Sequence, residues 1–129
     1  MKFDKKWLVG FLESTSEFNI IIKDNNPKEI LLEFRVFSSD IKLLYGLKKF
    51  FGCGRVYSNN IFIITNFEHL FNIVLPFLIE NSFVSDKKFE FFKFRKCIDI
   101  MSNNSRLSDS NFLELEKLSF DIKKNRKNK

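Results

Sequence analysis

The spacing of apolar residues along this chain changes period several times, and each change predicts an element. WLVGFLESTSEF, Trp7 to Phe18, begins as a short apolar helix. A helix is predicted over Lys5–Ser14, with Asp4 as the N-cap that accepts from the first free amides. Gly10 and Ser14 lie one turn apart on it, small residues of the kind that let a second helix approach closely. Phe18–Lys23 then alternates in period two. Phe18, Ile20 and Ile22 fall on one face, and Glu17, Asn19, Ile21 and Lys23 on the other. Asp24-Asn25-Asn26-Pro27 is a turn cluster, and Ile30–Phe37 is a second strand that closes a hairpin.

Helical spacing returns over Ile41–Phe51, where Leu43, Leu44, Leu47 and Phe50 repeat after a cap at Ser39 or Asp40. Gly52-Cys53-Gly54 closes that helix. Arg55–Ser58 and Ile61–Asn66 form a second hairpin over Asn59-Asn60. Further helices are predicted over Phe67–Glu80, kinked at Pro76, then over Asp86–Met101 and Asp109–Lys124. The order is α-β-β-α-β-β-α followed by two helices. An αββ repeat of this kind makes an α+β domain, a four-stranded antiparallel sheet with helices on one face and the other face open. The chain divides into one domain, residues 1–121, and a basic tail, residues 122–129. That tail, IKKNRKNK, carries five positive charges and no negative one.

Composition narrows the chemistry. The net charge of +6 points toward a polyanionic partner rather than an acidic substrate. Cys53 and Cys97 are far apart and there is one His, so no zinc or redox site is legible and two free core thiols are expected. No metal site is expected, no apolar run is long enough to cross a membrane, and no secretory or transit segment precedes the first helix. Phe, Ile, Asn and Lys are abundant while Gly and Pro number 4 and 2, a composition typical of AT-rich organellar genes. The expected location is therefore the mitochondrion, with the gene carried by the organelle.

Four separated segments then match one family in order. LVGFLESTS, Leu8 to Ser16, resembles the LAGLIDADG motif of homing endonucleases and related intron maturases. EFRVFSSDIKLLYGLKKFFGCGRVY resembles the family's second strand, second helix and third strand. NFEHLFNIVLPFLIENSFVSDKKFEFFKF and LSDSNFLELEKLSFDIKKNRK resemble its later helices. The resemblance implies the LAGLIDADG-type αββαββα fold, with a saddle of strands that reads DNA. It implies a homodimer through the Trp7–Ser14 helix, with Gly10 and Ser14 at the crossing, or packing of that helix on another protein. It also implies Mg²⁺-assisted phosphodiester hydrolysis by a carboxylate ending each motif helix. That position here is Thr15, whose neutral hydroxyl cannot replace a carboxylate as the partner of a hard cation. Glu13 and Glu17 are the alternative acids, each displaced from the motif's position.

The expectation from Thr15 is a chain that is not an enzyme and needs no cofactor. On that reading it binds structured RNA, as an architectural part of a mitochondrial ribosome or as an intron-splicing cofactor. The alternative is an active, site-specific homing DNA endonuclease with a shifted acid, which would need Mg²⁺. Candidate nucleic-acid contacts on the saddle are Lys23, Arg35, Arg55 and Tyr57. KKFEFFKFRK adds Lys87, Lys88, Lys93, Arg95 and Lys96, with its aromatics mostly facing the core. Lys87 and Lys88 either contact phosphate or form a solvated helix face. The tail adds Lys123, Lys124, Arg126, Lys127 and Lys129. RNA is favoured over DNA because the saddle's outward residues carry three positive and two negative charges.

Overall fold

A computed structural model describes residues 2–127. The elements are α1 (Lys5–Thr15), β1 (Ser16–Lys23), β2 (Glu29–Phe37), α2 (Ile41–Phe51), β3 (Arg55–Tyr57) and β4 (Ile61–Ile64). They continue as α3 (Phe67–His69), a π turn (Leu70–Val74), α4 (Leu75–Glu80), α5 (Lys87–Asn103) and α6 (Asp109–Lys127). The caps follow the sequence: Asp4 accepts from Trp7, Asp40 from Lys42 and Leu43, and Asn66 from His69. Gly52 ends α2 with φ 73°, and Gly54 follows at φ 94°, where an added Cβ would run into the Phe62 ring.

Two expectations change. The break in the third helical stretch is a π turn one turn ahead of Pro76 rather than a kink at it. There the Leu75 amide donates back to Leu70, ahead of the proline that has no amide to give. The boundary drawn at residue 122 falls inside α6, so most of the basic segment is helix.

All strands pair antiparallel in the order β1-β2-β4-β3. The period-two pattern places the faces as the sequence predicts. Phe18, Ile20, Leu32, Phe34, Val36, Phe62 and Ile64 are buried under the helices. Phe18 is the hub: its ring meets those of Phe94 at 4.8 Å, Phe34 at 5.2 Å, Phe91 at 5.7 Å and Phe83 at 6.2 Å. One side chain thus joins the sheet to α5 and to the segment before it.

β1 is an edge strand, and unpaired edge groups are a liability unless something covers them. Here side chains from α5 and α6 do so. The Lys87 ammonium donates to the Ser16 carbonyl, the Arg126 guanidinium to that of Phe18, and the Ser119 hydroxyl to that of Ile20 at 2.7 Å. The Phe18 amide donates to Glu90 at 3.3 Å. Glu90 also receives Lys87 at 2.9 Å and Arg126 in a close ion pair, so one buried carboxylate fixes both cations. Burial pushes the Glu90 carboxyl up. The hydrogen bonds and charges of Lys87 and Arg126 outweigh this and hold it below its ordinary 4.5.

Three outcomes test this frame. Phe18→Ala is expected to cost about 3–5 kcal/mol in urea unfolding, because the cavity sits where four rings meet. Arg126→Met is expected to cost about 2 kcal/mol, since charge-assisted bonds to Glu90 and the β1 edge are lost, whereas exposed Lys124→Met stays within about 0.5 kcal/mol. A depressed folded-state carboxyl stabilises above its unfolded value and loses that contribution as pH falls through the folded one. The stability gap between wild type and Glu90→Gln should therefore be largest above 4.5 and close in more acidic buffer.

Candidate nucleic-acid interface

The sheet face away from the helices carries Glu17, Asn19, Ile21 and Lys23 from β1, and Leu31, Glu33, Arg35 and Phe37 from β2. Ile61 and Ile63 of β4 and Arg55 and Tyr57 of β3 complete it, and none of these side chains is buried. Glu17 lies directly across from Arg35, and Asn19 from Glu33, to which it donates at 3.3 Å. Arg35 is on a central strand. Its guanidinium lies 5.6 Å from the Phe37 ring centre, and its Nε, buried without a hydrogen bond among the described residues, is 4.0 Å from the Glu33 carboxylate in a long ion pair. Tyr57 and Arg55 stand exposed on the β3 edge, and Lys23 is exposed at the end of β1.

At the end of α1 the neutral residues are turned inward. Thr15 donates its hydroxyl to the Phe11 carbonyl at 2.7 Å, and Ser16 donates its own to that of Leu12 at 2.5 Å. Helix thus passes into strand with no loop between them. Glu13 is spoken for as well, because it accepts the Val84 amide at 2.5 Å and the Ser85 amide at 2.7 Å. The Ser85 bond does most to hold its carboxyl below the ordinary range. Glu17 carries no side-chain hydrogen bond or ion pair among the described residues. Gly10 and Ser14 are both exposed, and a methyl group added at Gly10 would meet open space.

The basic candidates separate into two kinds. Lys88, Arg95, Lys96, Lys123 and Lys124 are exposed and Lys93 is half-buried. Lys87 and Arg126 are structural: Lys87 is 9% exposed, and both are committed to Glu90 and β1. Neither a solvated helix face nor a free phosphate contact describes Lys87. The side chain of Lys127 and all of Lys129 lie outside the described residues. The aromatics of the basic helix divide evenly, with Phe91 and Phe94 in the core and Phe89 and Phe92 outside.

Sequence reasoning passed over Glu90 as one acid in a basic run. Its spacing was informative, because Lys87, Glu90, Phe94, Cys97 and Ile98 share one helical face, which is the buried one. Cys53 and Cys97 are free and buried as expected, and burial, with the Glu114 charge second, pushes the Cys97 thiol to about 12.

Among the described residues no group of three or more His, Cys, Asp or Glu side chains converges on a metal-sized site. A closed protein cage for a cation is thus not built here. The one unengaged carboxylate beside the end of α1 is Glu17, on the open face. That donor set suits a cation that shares its shell with substrate phosphate and water, as Mg²⁺ does through one or two carboxylates.

Comparisons with known proteins agree with this geometry. The family model described as LAGLIDADG endonuclease matches residues 8–98. The "Probable intron-encoded endonuclease 3" of Neurospora crassa is 26% identical over 115 residues, covering 81% of this chain but 22% of its own length. The chain therefore spans under a quarter of that relative. A crystal structure of the homing endonuclease I-TnaI is 27% identical, with a TM-score of 0.88 over 95% of this chain and 89% of its own. I-SmaMI bound to an uncleaved DNA target with calcium ions is 26% identical, with a TM-score of 0.87 over 95% of this chain and 46% of its own. The expectation that the chain is not an enzyme is overturned here, since the relatives are named as endonucleases and the matching structures are homing endonucleases. With 91 of its residues matched by the family model, and the saddle and motif helix in place, the chain belongs to the LAGLIDADG endonuclease family.

Proposed function

We propose that this chain is a DNA-cleaving subunit that lays its open sheet face into duplex DNA and uses Glu17, in place of Thr15, as its metal-facing acid. The observation that carries this reading is the freedom of Glu17. The other acids near the α1–β1 junction, Glu13 and Glu90, are consumed by Val84, Ser85, Lys87, Arg126 and Phe18. A divalent cation beside Glu17 would stabilise the attacking and leaving oxygens of phosphodiester hydrolysis. The chain's own contribution is to hold that carboxylate on a rigid strand and to aim Arg35, Arg55 and Lys23 at the backbone and bases. The Nε of Arg35 supports a ligand on this face, because beyond the Glu33 carboxylate at 4.0 Å it has no hydrogen bond among the described residues, and a phosphate or base edge would supply one.

The exposed Trp7, Gly10 and Ser14 side of α1 is read as the seat of a second motif helix, which would complete a two-fold saddle. A mitochondrial intron as the gene's location belongs to this proposal, on composition and on the intron-encoded relatives. The ribosomal and splicing roles expected from Thr15 gain no support from the saddle.

The test is cleavage of a duplex spanning the gene's own uninterrupted insertion locus, in Mg²⁺, with binding followed separately by gel shift. Wild type is expected to bind and cut. Glu17→Gln is expected to keep binding but lose about 100-fold or more in cleavage, the scale of a lost charge-stabilising ligand. Unchanged cleavage by Glu17→Gln would remove the acid assignment, and absence of duplex binding would sink the proposal. Arg55→Ala should lower the salt slope of duplex binding by about 0.9, while Lys124→Met leaves it alone.

A further inference from the structure

Arg126 sits at the free edge of β1 and reaches both sides of the sheet. Toward the helices it donates through Nε to Glu90 at 3.1 Å, and along the edge to the Phe18 carbonyl at 2.5 Å. Toward the open face its Nη1 donates to the side-chain Oδ1 of Asn19 at 2.8 Å. The Asn19 Nδ2 in turn donates to Glu33 at 3.3 Å, and Glu33 lies 4.0 Å from the Nε of Arg35. A row of polar contacts thus runs from the last helix, around the edge of β1, across the floor of the saddle to the strand that carries Arg35.

This row fixes the orientation of the Asn19 amide. A free asparagine amide can turn over, which exchanges its donor and its acceptor. Here both neighbours oppose the turn. A guanidinium only donates and an ionised carboxylate only accepts, so a turned amide would set N–H against N–H at Arg126 and oxygen against oxygen at Glu33. Each contact uses one of two places on its atom. One Asn19 N–H and one Oδ1 lone pair are left for a ligand on the open face, in a fixed order. Base pairs differ in the order of donors and acceptors along the major groove, so a side chain tells them apart best when its own order is fixed. Asn19 is half-buried on that face and within reach of a ligand there. Arg126 is committed to Glu90, Phe18 and Asn19, so its effect on a ligand passes through Asn19.

We infer that Arg126 is a positioning residue for base readout: it locks the Asn19 amide against turning over, and the locked amide discriminates one base pair of the target. This role rests on the open sheet face being the duplex-binding surface. Through it the C-terminal helix takes part in target choice from the far side of the β1 edge.

The experiment is a double-mutant cycle on target choice. The whole chain is bound, without Mg²⁺, to a duplex library of the gene's insertion locus carrying every single base-pair change, and the bound fraction is sequenced. Asn19→Ala is expected to reduce discrimination at one base pair from about tenfold or more toward parity. Arg126→Lys keeps a cation beside Glu90, but its donors share one compact nitrogen and cannot span Glu90, Phe18 and Asn19 together. It is expected to relax that same base pair, leave the others as in wild type, and add nothing in the Asn19→Ala background. In the free protein, NMR should show the Asn19 side-chain amide signals moved by Arg126→Lys, with backbone signals away from the β1 edge unchanged. Relaxation spread evenly over all positions, or an Arg126→Lys effect that persists without Asn19, would make Arg126 a structural residue only. Full discrimination by Asn19→Ala at every base pair would equally overturn the inference. If wild type binds no duplex, the reading of the open face has failed and this role falls with it. Duplex binding with an additive cycle instead removes the role of Arg126 and leaves that reading standing.

Discussion

The Glu90 carboxylate is the contact on which the arrangement of this chain depends. It is buried where α1 becomes β1, and it joins residues far apart in sequence: Phe18, Lys87 and Arg126. An uncompensated carboxylate there would be costly, so the site works only with both cations in place. In turn the cations seal the edge of β1, which would otherwise offer open carbonyls to another strand. α5 and α6 are pinned to the sheet through polar contacts, and the aromatic hub around Phe18 supplies the apolar ones. With both helices held on one side, the other face of the sheet is left free.

That arrangement also explains which charges are available to a ligand. Lys87 and Arg126 look like nucleic-acid contacts when charge is counted along the sequence, yet their energies are spent inside the protein. Lys88, one residue from Lys87, is turned away from that buried site and is exposed. A helix turns about 100° per residue, so neighbouring cations can serve unrelated purposes. The net charge of +6 therefore overstates what the molecule presents near β1 and says little about where the presented charge sits.

Much of the fold was legible because it is written in local periods. The alternation through Phe18–Ile22 and Ile30–Val36 placed both faces of the hairpin, and Asp4, Asp40 and Gly52 marked helix ends through chemistry that acts within four residues. Long-range polar pairing was not legible. Nothing near Arg126 announces Glu90, which is 36 residues away, and nothing near Glu13 announces the Val84 and Ser85 amides. The π turn was hidden because Pro76 signals a disturbed helix without saying how the backbone relieves it. At the candidate site, Thr15 was read correctly as lacking a carboxylate. The step from there to a chain without activity is overturned by relatives named as endonucleases and matching structures of homing endonucleases, which one substituted position could not reveal.

An acid acting from Glu17 in place of Thr15 would have a geometric consequence. Thr15 ends a helix and Glu17 is already in an extended strand, where two residues advance about 6.6 Å. A cation held by Glu17 would sit farther along the floor of the saddle than one at the helix end, and the phosphate it meets must follow it there. Arg35 directly opposite would be its nearest competitor for the carboxylate. A cross-strand pair of this kind would contribute only about 0.2–1 kcal/mol, too little by itself to keep the carboxylate from a divalent cation. Arg35, whose Nε lies 4.0 Å from the Glu33 carboxylate and makes no hydrogen bond among the described residues, would gain a closer acceptor from a substrate on this face.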